Sequence, residues 1–156
     1  MTDEMKKGSR RGGRRRAFEV LYGLCFNTVQ SIDQLERAFT LAPAPSDEAA
    51  ERNAAGRKEF AWELVAGVWR NLAAIDKRID EYSQHWKLSR IARIELTILR
   101  LALYEMLWLD DVPVKVTINE AVELAKRFGD DNSKNFVNGI LDAIAKAVEN
   151  GQLRIH

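Results

Sequence analysis

Two stretches of this chain carry residue types suited to binding. Residues 1–16 hold Lys6, Lys7, Arg10, Arg11, Arg14, Arg15 and Arg16 against two acids, while the rest of the chain has seventeen bases and twenty-one acids. A guanidinium fork pairs bidentately with phosphate and stacks on bases, and each phosphate neutralised releases counterions, so such a segment meets a polyanion with salt-dependent affinity. Arginine outnumbering lysine favours RNA. Gly8, Gly12 and Gly13 keep residues 1–13 adaptable, a flexible basic arm that orders on binding. The plainer alternative is a solvated tail that aids solubility. The second stretch is DDNSKNF, Asp130 to Phe136, which sets an aromatic ring one turn into a helix beside Asn132 and Lys134. A ring so placed can stack on an unpaired base. Phe136 also shares a stripe with Ile140 and Ile144, and the pattern by itself favours packing.

Enzyme chemistry fails by inventory. His85 and His156 have no Cys or His at metal-ligand spacing, and neither G-x-x-x-x-G-K nor G-x-G-x-x-G occurs, so no metal, nucleotide or other cofactor is expected. His85 beside Trp86 reads as a packing residue. Asp110 with Asp111, and Asp130 with Asp131, sit where turns favour carboxylates. The one cysteine, Cys25, lies among Leu21, Leu24 and Phe26 and reads as a buried apolar thiol in a reducing compartment. The polar, basic start has no secretory pattern, and the apolar run Leu96 to Leu109 is short for a bilayer and contains Arg100 and Glu105. A cytoplasmic protein without a membrane span is expected.

The elements that must position these residues are helical. With 46% hydrophobic and 30% charged residues in 156, the chain can bury a core without staples, and residues 14–156 read as one domain. Apolar steps of three and four predict a helix over Arg14 to Phe26 and another over Ile32 to Leu41, ended by Pro43 and Pro45. SDEAAERNAAG reads as loop or marginal helix, and as mobile. From Lys58, the stripe Phe60, Leu64, Val68, Leu72, Ile75, Ile79, Tyr82 and Trp86 predicts one long helix, or two with a bend near Asn71 to Ala74. Leu88 to Ala92 is a single turn and Arg93 to Leu109 a buried central helix. Pro113 presets an extended entry, and Thr117 with Glu120 forms a T-x-x-E capping box that starts the sixth helix near Thr117. Gly129, in a left-handed conformation, ends it. Ser133 or Asn132 caps the last helix, Ser133 to Glu149. About seven helices and no alternating strand pattern give an all-α fold.

Polar residues inside these helices need partners. Glu95, Arg100 and Glu105 interrupt the central helix. Internal pairing, of Arg100 with the neighbours of Glu105 or with Glu120, is the plain account, while Glu95 lies near the helix start, where the dipole favours a carboxylate. Asn119 and Asn138 are expected to bond across helices and tie the last two together.

INEAVELAKRFG followed by SKNFVNGILD, with ILRLALYEM upstream, resembles the C-terminal signature of the NusB family of bacterial transcription antitermination factors. The likeness is strongest over Ile94 to Asp142 and returns in the arginine cluster followed by Leu21 and Tyr22. It is slight between Ser31 and Arg57. The resemblance implies two small helical bundles packed across each other, without catalysis. It further implies a partnership with the ribosomal protein NusE, recognition of single-stranded boxA RNA, and an RNA polymerase complex resistant to termination on ribosomal RNA operons. Arg10, Arg11 and Arg14 match the family's arginines, whereas the place of Arg15 often holds an acid. The residue matching Phe136 is associated with RNA, which turns the reading towards stacking, with Asn132 and Lys134 beside it and Tyr22 as further aromatic surface. The fifth and sixth helices would carry the protein contact, through Glu95 and Phe128. Self-association as a homodimer varies among members. Two rivals stand beside this: a targeting module like those fused to ribosomal RNA cytosine methyltransferases, and a helical interaction protein with no RNA role.

Overall fold

The computed structural model describes the backbone of residues 3–42, 54–83, 87–151 and 153, with side chains from residue 10 in the first stretch and residue 58 in the second. Among these residues lie seven α-helices, one 3-10 turn and no strand. They are α1 (Asp3–Leu24), α2 (Ile32–Leu41), α3 (Ala54–Arg70), α4 (Leu72–Tyr82), the turn Leu88–Arg90, α5 (Arg93–Trp108), α6 (Val114–Phe128) and α7 (Ser133–Glu149). The chain divides into two compact units, residues 1–69 and 70–156. The end expected at Pro43 and Pro45, most of SDEAAERNAAG, His85, Trp86 and His156 lie outside the described residues.

In the first unit, α1 begins at Asp3, eleven residues before the expected start at Arg14. Strong helix formers outweigh three glycines at about 1 kcal/mol each, and the turn from Arg10 to Arg14 is anchored against Phe60 of α3. Ala17, Phe18, Val20 and Leu21 are buried, as are Leu35 and Phe39 of α2 and Phe60, Ala61, Leu64, Val65, Ala66 and Val68 of α3. Ser31 caps α2, its hydroxyl accepting from the Gln34 amide at 3.2 Å, while the Gln34 side chain accepts from the Gln30 amide at 2.7 Å. Phe39 meets Trp62 of α3 with ring centroids 5.4 Å apart. Cys25, expected to be buried, is half-buried because α1 ends at Leu24, and its thiol faces the Leu21 carbonyl at 3.8 Å.

In the second unit, α5 is buried at every residue from Leu96 to Leu107 except Arg100, and it packs against α4, α6 and α7. The expected bend is Asn71, the N-cap of α4. Arg100 does not pair within its own helix or with Glu120. Its Nε and Nη2 donate to the two carboxylate oxygens of Asp76 on α4 at 2.8 and 2.9 Å, because that carboxylate faces α5 where the two helices pack.

The helix hairpin α6–α7 departs from expectation in detail. Pro113 fixes its own φ at −60° and starts α6 at Val114, so Thr117 lies one turn inside the helix. Its hydroxyl is buried without a hydrogen-bond partner, and no capping box forms. Gly129 is extended at φ −93°, not left-handed. It is glycine for close approach: a Cβ would fall onto the Ser133 side chain and within 2.8 Å of the Ala125 carbonyl. Asn132 occupies the N-cap of α7 without a side-chain cap; its amide instead donates to Asp130 Oδ1 at 2.9 Å. Asn119 and Asn138 are exposed, so they do not tie the two helices together. Packing of Ala121, Leu124 and Ala125 beside Val137, Ile140, Leu141 and Ile144 does that instead. No helix among the described residues is long and apolar enough to cross a membrane.

Candidate nucleic-acid interface

The two sets of candidate residues fall in different units and are built differently. On α1, i and i+4 spacing puts Arg10 and Arg14 on one face. The guanidinium carbons of both lie over the Phe60 ring, 5.1 and 5.5 Å from its centroid. Arg11 is exposed and Arg10 half-buried, but Arg14 is only 4% exposed. Arg14, expected to hold phosphate, is thus an interior residue, since it lies one turn before the buried Ala17 and Phe18 and over a core ring. Arg15 pairs with Glu19 one turn on at 3.5 Å. Arg16 turns to α2: its Nη2 donates to the Phe39 carbonyl at 3.2 Å and its guanidinium lies 4.4 Å from the Phe39 ring centroid. Of the described arginines in this cluster, Arg11 is exposed, Arg10, Arg15 and Arg16 are half-buried, and Arg14 is buried.

Tyr22 belongs to an aromatic ladder that climbs α1 from core to surface. Its ring stacks on buried Phe18 at 5.8 Å and meets Phe26 edge-on at 5.2 Å, with Phe26 56% exposed. Phe26 adds an apolar ring at the wet end of this series, and only its place one turn beyond Tyr22 signals that in the sequence.

In the second unit, Asn132 and Lys134 are exposed and Phe136 is half-buried, one turn before Ile140 on a stripe that closes completely at Ile144. Both readings of Phe136 thus meet in one side chain, part of it packed and part of it reachable. The turn ahead of it is fixed by hydrogen bonds. The Asp130 amide donates to Ser133 Oγ at 3.0 Å, and the Ser133 hydroxyl donates to Glu95 Oε1 of α5 at 3.0 Å, with Asp130 Oδ1 at 3.2 Å as a second acceptor. The Phe136 amide continues the helix to the Asn132 carbonyl at 3.1 Å. Glu95, a candidate for partner contact, is half-buried and engaged with α7, a link that nothing in its own helix announces. Phe128, the last residue of α6, is half-buried with the Arg127 guanidinium 5.7 Å from its ring centroid.

Chemically these are groups that bind anions and stack on rings. Among the described residues, no three His, Cys, Asp or Glu side chains gather where a metal ion could be held.

The NusB family model matches residues 11–146. A transcription antitermination protein NusB of Nitratidesulfovibrio vulgaris is 48% identical, with 98% of this chain and 97% of the relative covered. One from Desulfovibrio desulfuricans is 51% identical, covering 96% and 92%. The solved NusB of T. maritima superposes with a TM-score of 0.75 at 37% identity, covering 92% of this chain and 97% of the other. A solved complex of antitermination factors NusB and NusE with double-stranded RNA contains a chain that superposes at 0.72 and 28% identity, covering 89% and 97%. Matched along nearly its whole length by the family model and by relatives about half identical to it, this chain belongs to the NusB family.

Proposed function

We propose that this chain is an RNA-binding transcription antitermination factor that works with NusE, catalyses nothing and acts in the cytoplasm. The observation that carries the reading is the 51% identity to a transcription antitermination protein over 96% of the chain. The likeness to a NusB solved with NusE and RNA supports the two partners. The RNA is a boxA-type element of the nascent ribosomal transcript, and RNA polymerase carrying the assembly reads through terminators.

Arg10 and Arg11 hold phosphates from the first half of α1, with Arg14 adding charge from the interior. Tyr22 offers the edge of its ladder. Asn132 at the fixed turn and Lys134 in the first turn of α7 contact the backbone or base edges, and Phe136 stacks through its uncovered face. Single-stranded RNA suits this arrangement, because unstacked bases can reach an aromatic ring whereas the narrow major groove of an A-form duplex shuts side chains out. The protein partner meets α5 and α6, with Phe128 at the end of α6 in direct contact and Glu95 acting from its bond to Ser133.

The test is a salt series with a short fluorescent boxA-type RNA, single-stranded and as a duplex, with and without a NusE homologue. Replacing Arg10 and Arg11 by Ala lowers affinity and flattens the slope of log K against log salt by about 0.7 for each phosphate no longer neutralised. An unchanged slope and affinity sinks the arginine assignment. Tighter binding to the duplex would move the reading to recognition of A-form shape. A solution mass with and without the NusE homologue decides between a homodimer and a heterodimer.

A further inference from the structure

We propose that Phe60, a core residue of α3, is a positioning residue for RNA binding that acts through Arg10. This rests on the RNA-binding reading given above. The Arg10 guanidinium lies over the Phe60 ring 5.1 Å from its centroid, and that of Arg14 lies 5.5 Å from the same centroid. The ring face is the negative pole of an aromatic quadrupole and attracts a cation, more strongly where water is excluded. Phe60 is 8% exposed, so its own position is fixed by the packing around it, whereas Arg10 is half-buried and keeps a solvent-facing part.

Physical chemistry gives this pairing a use beyond packing. A free arginine side chain samples many rotamers and loses that freedom when it grips a phosphate. One already held over a ring has lost part of that freedom beforehand, so gripping a phosphate costs it less. Arg14, buried one turn further along α1, brings a second positive charge to the same ring and raises the local potential at Arg10. Leucine at position 60 would fill much of the same volume but has no quadrupole, so the apolar role and the positioning role separate by substitution.

The experiment is a double-mutant cycle with a short fluorescent single-stranded RNA at fixed salt, comparing the parent, Phe60→Leu, Arg10→Ala and the pair, with Phe60→Tyr as the ring-retaining control and thermal melting alongside. Phe60→Leu is expected to weaken binding about twofold to fivefold in the parent, to add no further loss in the Arg10→Ala background, and to be rescued by Phe60→Tyr. Equal loss in both backgrounds overturns the inference, since a general disturbance of the fold does not depend on Arg10. Loss with Arg10→Ala but none with Phe60→Leu also overturns it and leaves the RNA reading standing. Full binding by both Arg10→Ala and Arg11→Ala overturns the RNA reading at this cluster and the inference with it. Should Phe60→Leu lose its cooperative melt, Phe60→Met takes its place in the cycle.

Discussion

The hydroxyl of Ser133, the first residue of α7, donates to Glu95 Oε1 in the first turn of α5 at 3.0 Å, while the same oxygen accepts the Asp130 amide at 3.0 Å. One side chain thereby fastens the turn 129–132 to the central helix. The polar groups that precede Phe136 are held in place by a carboxylate 38 residues away in sequence.

Removing that acceptor leaves the buried Ser133 hydroxyl with Asp130 as its remaining acceptor. Glu95→Ala is expected to cost about 1–3 kcal/mol in urea unfolding, and Glu95→Gln, which keeps an acceptor oxygen, less. Equal unfolding midpoints for the parent and Glu95→Ala would show that the bond contributes nothing to stability.

Gly129 has an ordinary φ but no room. A Cβ there collides with Ser133 and the Ala125 carbonyl, so Gly129→Ala overpacks the hairpin and is expected to cost about 1–3 kcal/mol. Thermal melting checks it. Replacing Gly139, where a Cβ meets nothing within 4 Å, should leave the melting temperature level or raise it, since a helix-interior glycine becomes alanine.

Arg100 and Asp76 form a bidentate pair in which each side chain is 20% exposed. Asp76→Ala leaves a mostly buried guanidinium without that partner and is expected to cost about 1–3 kcal/mol, below the figure for a fully buried pair because water still reaches both. The double substitution of Asp76 and Arg100 should cost less than the sum of the single ones. Additive costs in denaturant titrations would mean that the pair is not coupled.

Phe136 divides its surface between packing and solvent. Phe136→Leu is expected to keep the fold, with a loss under about 1.5 kcal/mol, yet to weaken RNA binding several-fold, since stacking of one base on an aromatic ring is worth about 1–3 kcal/mol. Anisotropy titrations set beside melts separate the two. An RNA affinity untouched by the loss of the ring would return Phe136 to a packing role alone.

Wherever local rules act without rivals, the fold was legible. The helix over Ile32 to Leu41 and the last helix over Ser133 to Glu149 follow from apolar steps of three and four and are observed, and of the two readings of the long stripe, one helix or two with a bend near Asn71 to Ala74, the second is observed. Local rules misled at the start of α6, where Thr117 and Glu120 have the spacing of a capping box yet the helix begins at Val114, directly after Pro113. Gly129 signals a left-handed end, yet the constraint on it comes from Ser133 in the next helix. Of the candidate site, composition and resemblance picked out the arginine cluster and Phe136. They could not sort Arg11, which faces water, from Arg14, which does not.

The amino-acid order by itself determined that this protein is a bundle of helices with a cationic start and an aromatic residue behind a polar turn, because helical periodicity and charge clustering are properties of neighbours along the chain. Only the tertiary structure decided which partners meet: Phe60 under Arg10, Asp76 across from Arg100, Ser133 against Glu95. The reason is geometric. Each of these pairs joins residues from different helices, and how helices lie side by side depends on packing summed over many side chains, which no local spacing encodes.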